Sequence, residues 1–115
     1  MVNIEKYAPQ RGDVVWLNFQ PQAGREQGGR RPSVVLSNDN YNKVVSLASF
    51  CPITSSIKGY PFEVDLPVNF PISGVVLVDQ IKSLDWKARE AEFIGKLDIK
   101  TMEVILALLG KVLEM

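Results

Sequence analysis

A mainly β domain closed by one C-terminal helix (α+β) is the fold class this sequence predicts, on three observations. Short runs of β-branched and aromatic residues recur between glycine, proline and asparagine punctuation. An apolar i, i+3, i+4 stripe appears only near the C-terminus, and strand and helix signals never alternate as β-α-β units. Together they predict a small β-barrel or curled sheet with a helix packed on it.

Residues 14–19, a β-branched and aromatic run behind Arg11-Gly12-Asp13, predict the first strand. Residues 20–30 form a loop broken by Pro21, Gly24, Gly28 and Gly29. A second strand is expected at 33–37. Its Val34-Val35-Leu36 run lacks alternation, which predicts burial on both faces. Residues 38–42 are turn-rich, with room for a single helical turn, and 44–53 read as a third strand. After a polar loop at 54–59, residues 62–66 alternate as a half-exposed strand does. An apolar strand is expected at 74–81, a short turn at 85–90 and a further strand at 92–96. Asp98 suits the N-cap of the last helix, whose stripe is Met102, Ile105, Leu106, Leu109, Val112 and Leu113. Val104 and Leu108 fall outside that stripe, and the widened apolar surface predicts a contact between two subunits.

At 115 residues, 46% apolar and 23% charged, the chain reads as a single soluble domain spanning 1–115. The lone Cys51 has no internal disulfide partner, and no signal-peptide pattern opens the chain, so a cytoplasmic location is expected. No apolar run approaches the ~18 residues of a membrane span. Histidine is absent. That removes Ser-His-Asp and Cys-His catalysis, histidine-pair nuclease chemistry and histidine-ligated metal sites. Acid–base work is left to Glu, Asp, Lys, Arg, Tyr or backbone groups. Net charge is zero, but residues 1–60 carry +3 and residues 61–115 carry −3. A basic first half implies a local anion-binding surface.

The densest chemistry lies in Arg25-Glu26-Gln27-Gly28-Gly29-Arg30-Arg31-Pro32. Glycines let a backbone approach a ligand closely. Pro32 biases Arg31 toward an extended conformation, from which a guanidinium fork matches phosphate oxygens. A hairpin loop with solvated arginines is the plainer alternative.

Arg11-Gly12-Asp13, Glu26 to Pro32, Pro52-Ile53-Thr54, Lys58-Gly59-Tyr60-Pro61-Phe62-Glu63-Val64 and the run from Gly74 to Ser83 together resemble the MazF/PemK family of toxin endoribonucleases. The resemblance is in order and covers roughly residues 8–90. It implies an SH3-like small β-barrel of the CcdB/MazF type, a homodimer, no cofactor or metal, and cleavage of single-stranded RNA at short sequences. It also implies a cognate antitoxin as partner. On the same footing, Arg31 aligns with the family's catalytic arginine and Thr54 with its catalytic threonine. Glu26 is the candidate base, although it needs a raised pKa and neighbouring arginines act the other way. Arg30 stands where some members have histidine. Arg30, Gln27, Lys58, Gln80 and Lys82 are expected RNA contacts, with Phe19 the candidate for base stacking; Trp16 and Tyr60 are expected in the scaffold. A CcdB-like toxin acting on gyrase through a protein interface is the alternative, and it would not require Arg31 and Thr54 together. An SH3-like adaptor would need an aromatic groove, whereas the ten aromatic residues here are dispersed.

Overall fold

The structure, a computed structural model, describes residues 7–19 and 29–114. Its strands are β1 (Asp13–Asn18), β2 (Arg30–Val35), β3 (Leu47–Thr54), β4 (Glu63–Asp65), β5 (Val75–Leu77), β6 (Lys82–Asp85) and β7 (Glu92–Lys96). Two helices join them, α1 (Asp39–Val45) and α2 (Ile99–Glu114). The strands form one antiparallel sheet in the order β4-β5-β3-β2-β1-β7, and β6 pairs with β3 off that path.

The mainly antiparallel sheet with a C-terminal helix is as expected. Closure into a barrel is not seen among the described residues, because the path ends at β4 and β7, which do not pair. The strand that bends the sheet is β3: Leu47–Phe50 pairs with β6, whereas Ile53 and Thr54 pair with β5.

Alternation along β1 and β2 fills both faces. Val14 and Val34 join Cys51, Ile53 and Val76 under Met102 and Ile105 of α2. Val15, Leu17 and Val35 point the other way, onto Ala48, Phe50 and Trp86. The double burial read from Val34-Val35-Leu36 is thus present.

Several elements differ from expectation. Strand β2 starts at Arg30, not Ser33, because β1 pairs with it as far as Asn18↔Arg30. Pro32 is tolerated since the β3 ladder begins only at Ser33. Helix α1 takes Val44 and Val45 from the expected third strand. Asn38 caps it, accepting from the Asn40 and Tyr41 amides, and Ser46 ends it at φ 52°. Residues 78–80 turn as a 3-10 helix, which shortens β5, and β6 was not anticipated. Asp98 does cap α2: its Oδ2 accepts from the Thr101 amide at 3.1 Å and its Oδ1 from the Thr101 hydroxyl at 2.6 Å. Those bonds hold the carboxyl below its ordinary pKa. Leu108 packs on the core, whereas Leu106 and Leu113, assigned to the buried stripe, are exposed. No helix among the described residues is long and apolar enough to cross a membrane.

Candidate functional site

The two principal candidates meet beyond the end of a ladder. β2 and β3 pair from Val35↔Phe50 to Ser33↔Pro52, and past that point Arg31 pairs with Leu17 of β1 and Thr54 with Val75 of β5. Arg31 and Thr54 line one open cleft of about 430 Å³ with Trp16, Arg30, Pro32, Ile53, Ser55, Ile72 and Ser73. Arg31 is exposed and Thr54 half-buried. Among the described residues Arg31 forms no ion pair.

The Thr54 Oγ1 accepts a hydrogen bond from the Ser56 amide at 3.0 Å, which fixes the side chain and leaves its O–H to donate elsewhere. Gly74 sets the backbone behind it. A Cβ there would lie 2.5 Å from the Thr54 carbonyl oxygen, and its φ of +138° is rarely adopted by L side chains.

Thr54 also borders a second cleft, of about 230 Å³, with Ser56, Lys58, Tyr60, Glu63, Leu77, Asp79 and Gln80. The Glu63 carboxylate accepts from the Lys58 and Gly59 amides at 3.1 and 2.9 Å, folding that loop over the cleft. Lys58 and Gln80 therefore gather beside Thr54, whereas Lys82, exposed on β6, lines neither cleft. Tyr60 is 57% exposed, not part of the scaffold as expected, because the Glu63-anchored loop turns it outward. Trp16 borders the first cleft. Its alternation with the buried Val15 and Leu17 was the signal that sequence reading left unused.

Two expected contacts are engaged elsewhere. The Phe19 ring is half-buried and carries the Arg89 guanidinium over it, 5.1 Å from its centroid. Arg30 donates from Nη1 to Asn18 Oδ1 at 2.5 Å, and from Nη2 to the Glu90 carbonyl at 2.9 Å and to Glu92 Oε1 at 3.1 Å. Glu26 and Gln27 lie outside the described residues, as does Arg25. Cys51 is fully buried; burial, aided by Asp79, pushes its thiol up to about 12, which keeps it protonated and inert.

The cleft therefore presents a guanidinium fork, a fixed hydroxyl and a neighbouring cation on an antiparallel scaffold, a set suited to holding a phosphodiester. Comparison with known proteins agrees. A family model described as PemK-like, MazF-like toxin of type II toxin-antitoxin system matches residues 10–113. The Escherichia coli K12 protein called endoribonuclease toxin MazF is 41% identical over 104 residues, 90% of this chain and 93% of that protein. The endoribonuclease toxin ChpB of the same strain is 34% identical over 116 residues, covering 96% and 99% of the two chains. Among solved structures, a MazE–MazF crystal structure from Deinococcus radiodurans (form II) superposes with a TM-score of 0.91 at 51% identity, covering 96% of this chain and 99% of that one.

Proposed function

Since the chain belongs to the PemK-like, MazF-like toxin family of type II toxin–antitoxin systems, we propose that it is a sequence-specific endoribonuclease that cuts single-stranded RNA between Arg31 and Thr54. The observation that carries this reading is the single open cleft that Arg31 and Thr54 line together. In the reaction, the RNA's own 2′-oxygen attacks the adjacent phosphorus. The 2′-O–P bond forms as the P–O5′ bond breaks, one proton leaves the 2′-hydroxyl and one reaches the departing 5′-oxygen. The products are a 2′,3′-cyclic phosphate and a 5′-hydroxyl, and the step needs no metal.

Arg31 stabilises the charge that builds on the phosphorane oxygens, since its fork can hold two of them. Proton delivery by Arg31 is the weaker of its roles, because a guanidinium pKa exceeds about 12. Thr54 donates its hydroxyl proton to a phosphate oxygen. Glu26 remains the candidate base. Lys58 and Gln80 address RNA in the adjoining cleft, and Lys82 and Gln27 extend the contact surface. The curvature at β3 supports reading the single domain as an SH3-like barrel variant. Exposed Val104, Leu106 and Leu113 on α2 support a homodimer. The MazE–MazF pairing named for the Deinococcus structure supports a cognate antitoxin, and an RNA substrate fits a cytoplasmic location.

Incubation of the purified protein with long RNA in excess EDTA tests the reading. Cleavage at defined sites with cyclic-phosphate ends is expected, and it should fall by about 10²–10³-fold in Arg31→Ala. Intact RNA would overturn the activity; 3′-hydroxyl ends, or an undiminished Arg31→Ala, would overturn the chemistry.

A further inference from the structure

We infer that Arg30 is a positioning residue, clamped by Asn18, Glu90 and Glu92 so that the neighbouring Arg31 is held toward the scissile phosphate; this rests on the endoribonuclease reading above. Both arginines border the cleft, but Arg30 is held by protein acceptors whereas Arg31 forms no ion pair among the described residues, so the two divide their work. Arg30 donates to three protein acceptors. The Asn18 side-chain amide in turn donates to Glu90 Oε1 at 2.7 Å, which closes Arg30, Asn18 and Glu90 into a ring, with Glu92 attached through Arg30. Arg30 is the first residue of β2, so the ring and its Glu92 pair tie that strand end across β1 to the start of β7.

The turn supplying the carbonyl acceptor is itself unusual. Glu90 holds φ at +53°, in the left-handed region that non-glycine residues rarely occupy. The Arg89 guanidinium and the Asn18 backbone brace it from the other side: Arg89 Nη1 donates to the Asn18 carbonyl at 3.2 Å and the Asn18 amide donates to the Arg89 carbonyl at 2.8 Å.

Charge points the same way. The Glu92 carboxylate pairs with Arg30 and that of Glu90 holds Asn18 beside it, so a phosphate would have to displace Glu92 from Arg30. Lysine could not reproduce the arrangement, because a point charge cannot serve three acceptors in one plane. The pair is also open to water, with side chains 32% and 68% exposed. Exposed ion pairs contribute little to stability, so the ring's effect should appear in catalysis.

Steady-state cleavage of a fluorogenic oligoribonucleotide carrying a mapped site, at several salt concentrations, decides the matter. Arg30→Ala and Glu92→Gln should each lower kcat by roughly 10- to 100-fold, the range that follows from misplacing a catalytic group. KM should stay within about 2-fold, as expected for loss of an interaction made only in the transition state. Arg30→Lys should not restore kcat, and the salt dependence of kcat/KM should keep the wild-type slope. A raised KM with a slope shallower by about 0.7 in Arg30→Ala would make Arg30 a phosphate contact and overturn the proposal. Tighter RNA binding by Glu92→Gln, or its unchanged kcat, would do the same; this exposed isosteric change keeps the test valid if Arg30→Ala misfolds. Wild-type protein that leaves RNA intact overturns the activity and the clamp together, whereas an active wild type beside unimpaired variants overturns the clamp alone.

Discussion

The two ends of the β1–β2 pair carry similar polar chemistry in opposite surroundings. At the Asp13 end the carboxylate is only 2% exposed and accepts hydrogen bonds from the Tyr7 hydroxyl and the Gln10 amide, while Lys96 Nζ lies 2.9 Å from Oδ1. At the Asn18 end, Arg30, Glu90 and Glu92 form comparable bonds in water. A low local dielectric makes each bond at the first end strong and each orphaned group costly. Solvent weakens the second end as a source of stability, which leaves it free to set the geometry of a cleft. Folding is thus secured at one end of the strands, and the proposed RNA chemistry lies at the other.

The largest expected effect separates the ends outright. Arg31→Ala should lower RNA cleavage by about 10²–10³-fold, the magnitude for removing one transition-state donor, while its thermal midpoint stays near that of the wild type. A comparable loss of melting temperature would mean that the cleft end also secures the fold. Asp13→Ala should do the reverse. It leaves the Tyr7 hydroxyl and the Gln10 amide without their acceptor and Lys96 without its partner, for a loss of about 2–4 kcal/mol in urea unfolding. Cleavage per folded molecule should not change. A loss below about 1 kcal/mol would show that burial adds nothing to this carboxylate.

Gly74→Ala should fall between these two. Its Cβ would sit 2.5 Å from the Thr54 carbonyl oxygen in a backbone conformation that alanine adopts poorly. A cost of about 1–3 kcal/mol is expected, with cleavage falling further than the unfolded fraction explains, since Thr54 must move. Activity that tracks only the folded fraction would remove Gly74 from the site.

Alkaline pH probes the protected side of the molecule. Burial, and then the Asp13 carboxylate, raise the Tyr7 phenol above its ordinary 10, and burial raises Cys51 from 9.0 to about 12. In the folded state both groups hold protons that the unfolded chain releases, so ν_U − ν_N is negative and stability declines as pH rises. The contribution of Cys51 is complete below about pH 9 and lost by about pH 12; that of Tyr7 begins to fall above about pH 10. Urea titrations at pH 8 to 11 should show this decline, and Cys51→Ala should flatten its first part. An identical slope in the variant would place the lability elsewhere.

What was legible in the sequence was what neighbours in the chain determine. A β-branched and aromatic run placed β1, the double burial of Val34 and Val35 followed from an unbroken apolar run, and Asp98 marked the start of α2. Long-range pairing was not legible. β6 is a polar strand whose only reason to be extended is the free side of β3, and nothing within Lys82–Asp85 announces that partner. Helical spacing alone could not orient α2, so Leu108 and Leu106 exchanged places between core and surface. Arg31 and Thr54 were named through family resemblance, but their meeting in one cleft depends on how β1, β2, β3 and β5 come together. The Arg30 hydrogen bonds join residues 60 and 62 positions apart, and there a solvated cation and a pinned one have the same sequence.

That last distinction yields the smallest effect and the sharpest test of the comparison between ends. Glu92→Gln keeps the side chain's shape and removes one charge from a pair that is 68% exposed on the Glu92 side. The amide oxygen can still accept from Arg30, so only the charge-assisted part of the bond is lost. Solvent screening limits the stability change to within about 0.5 kcal/mol, below what shifts a thermal midpoint by more than a few degrees. The same substitution at the other end, Asp13→Asn, should cost more, because the amide presents a donor where the buried carboxylate presented only acceptors, and one N–H would then meet the Tyr7 hydroxyl or Lys96. Matched urea unfolding of the two variants reads the difference directly. Equal losses would mean that burial does not distinguish the ends, and the division of labour between folding and chemistry would have to be located elsewhere in the sheet.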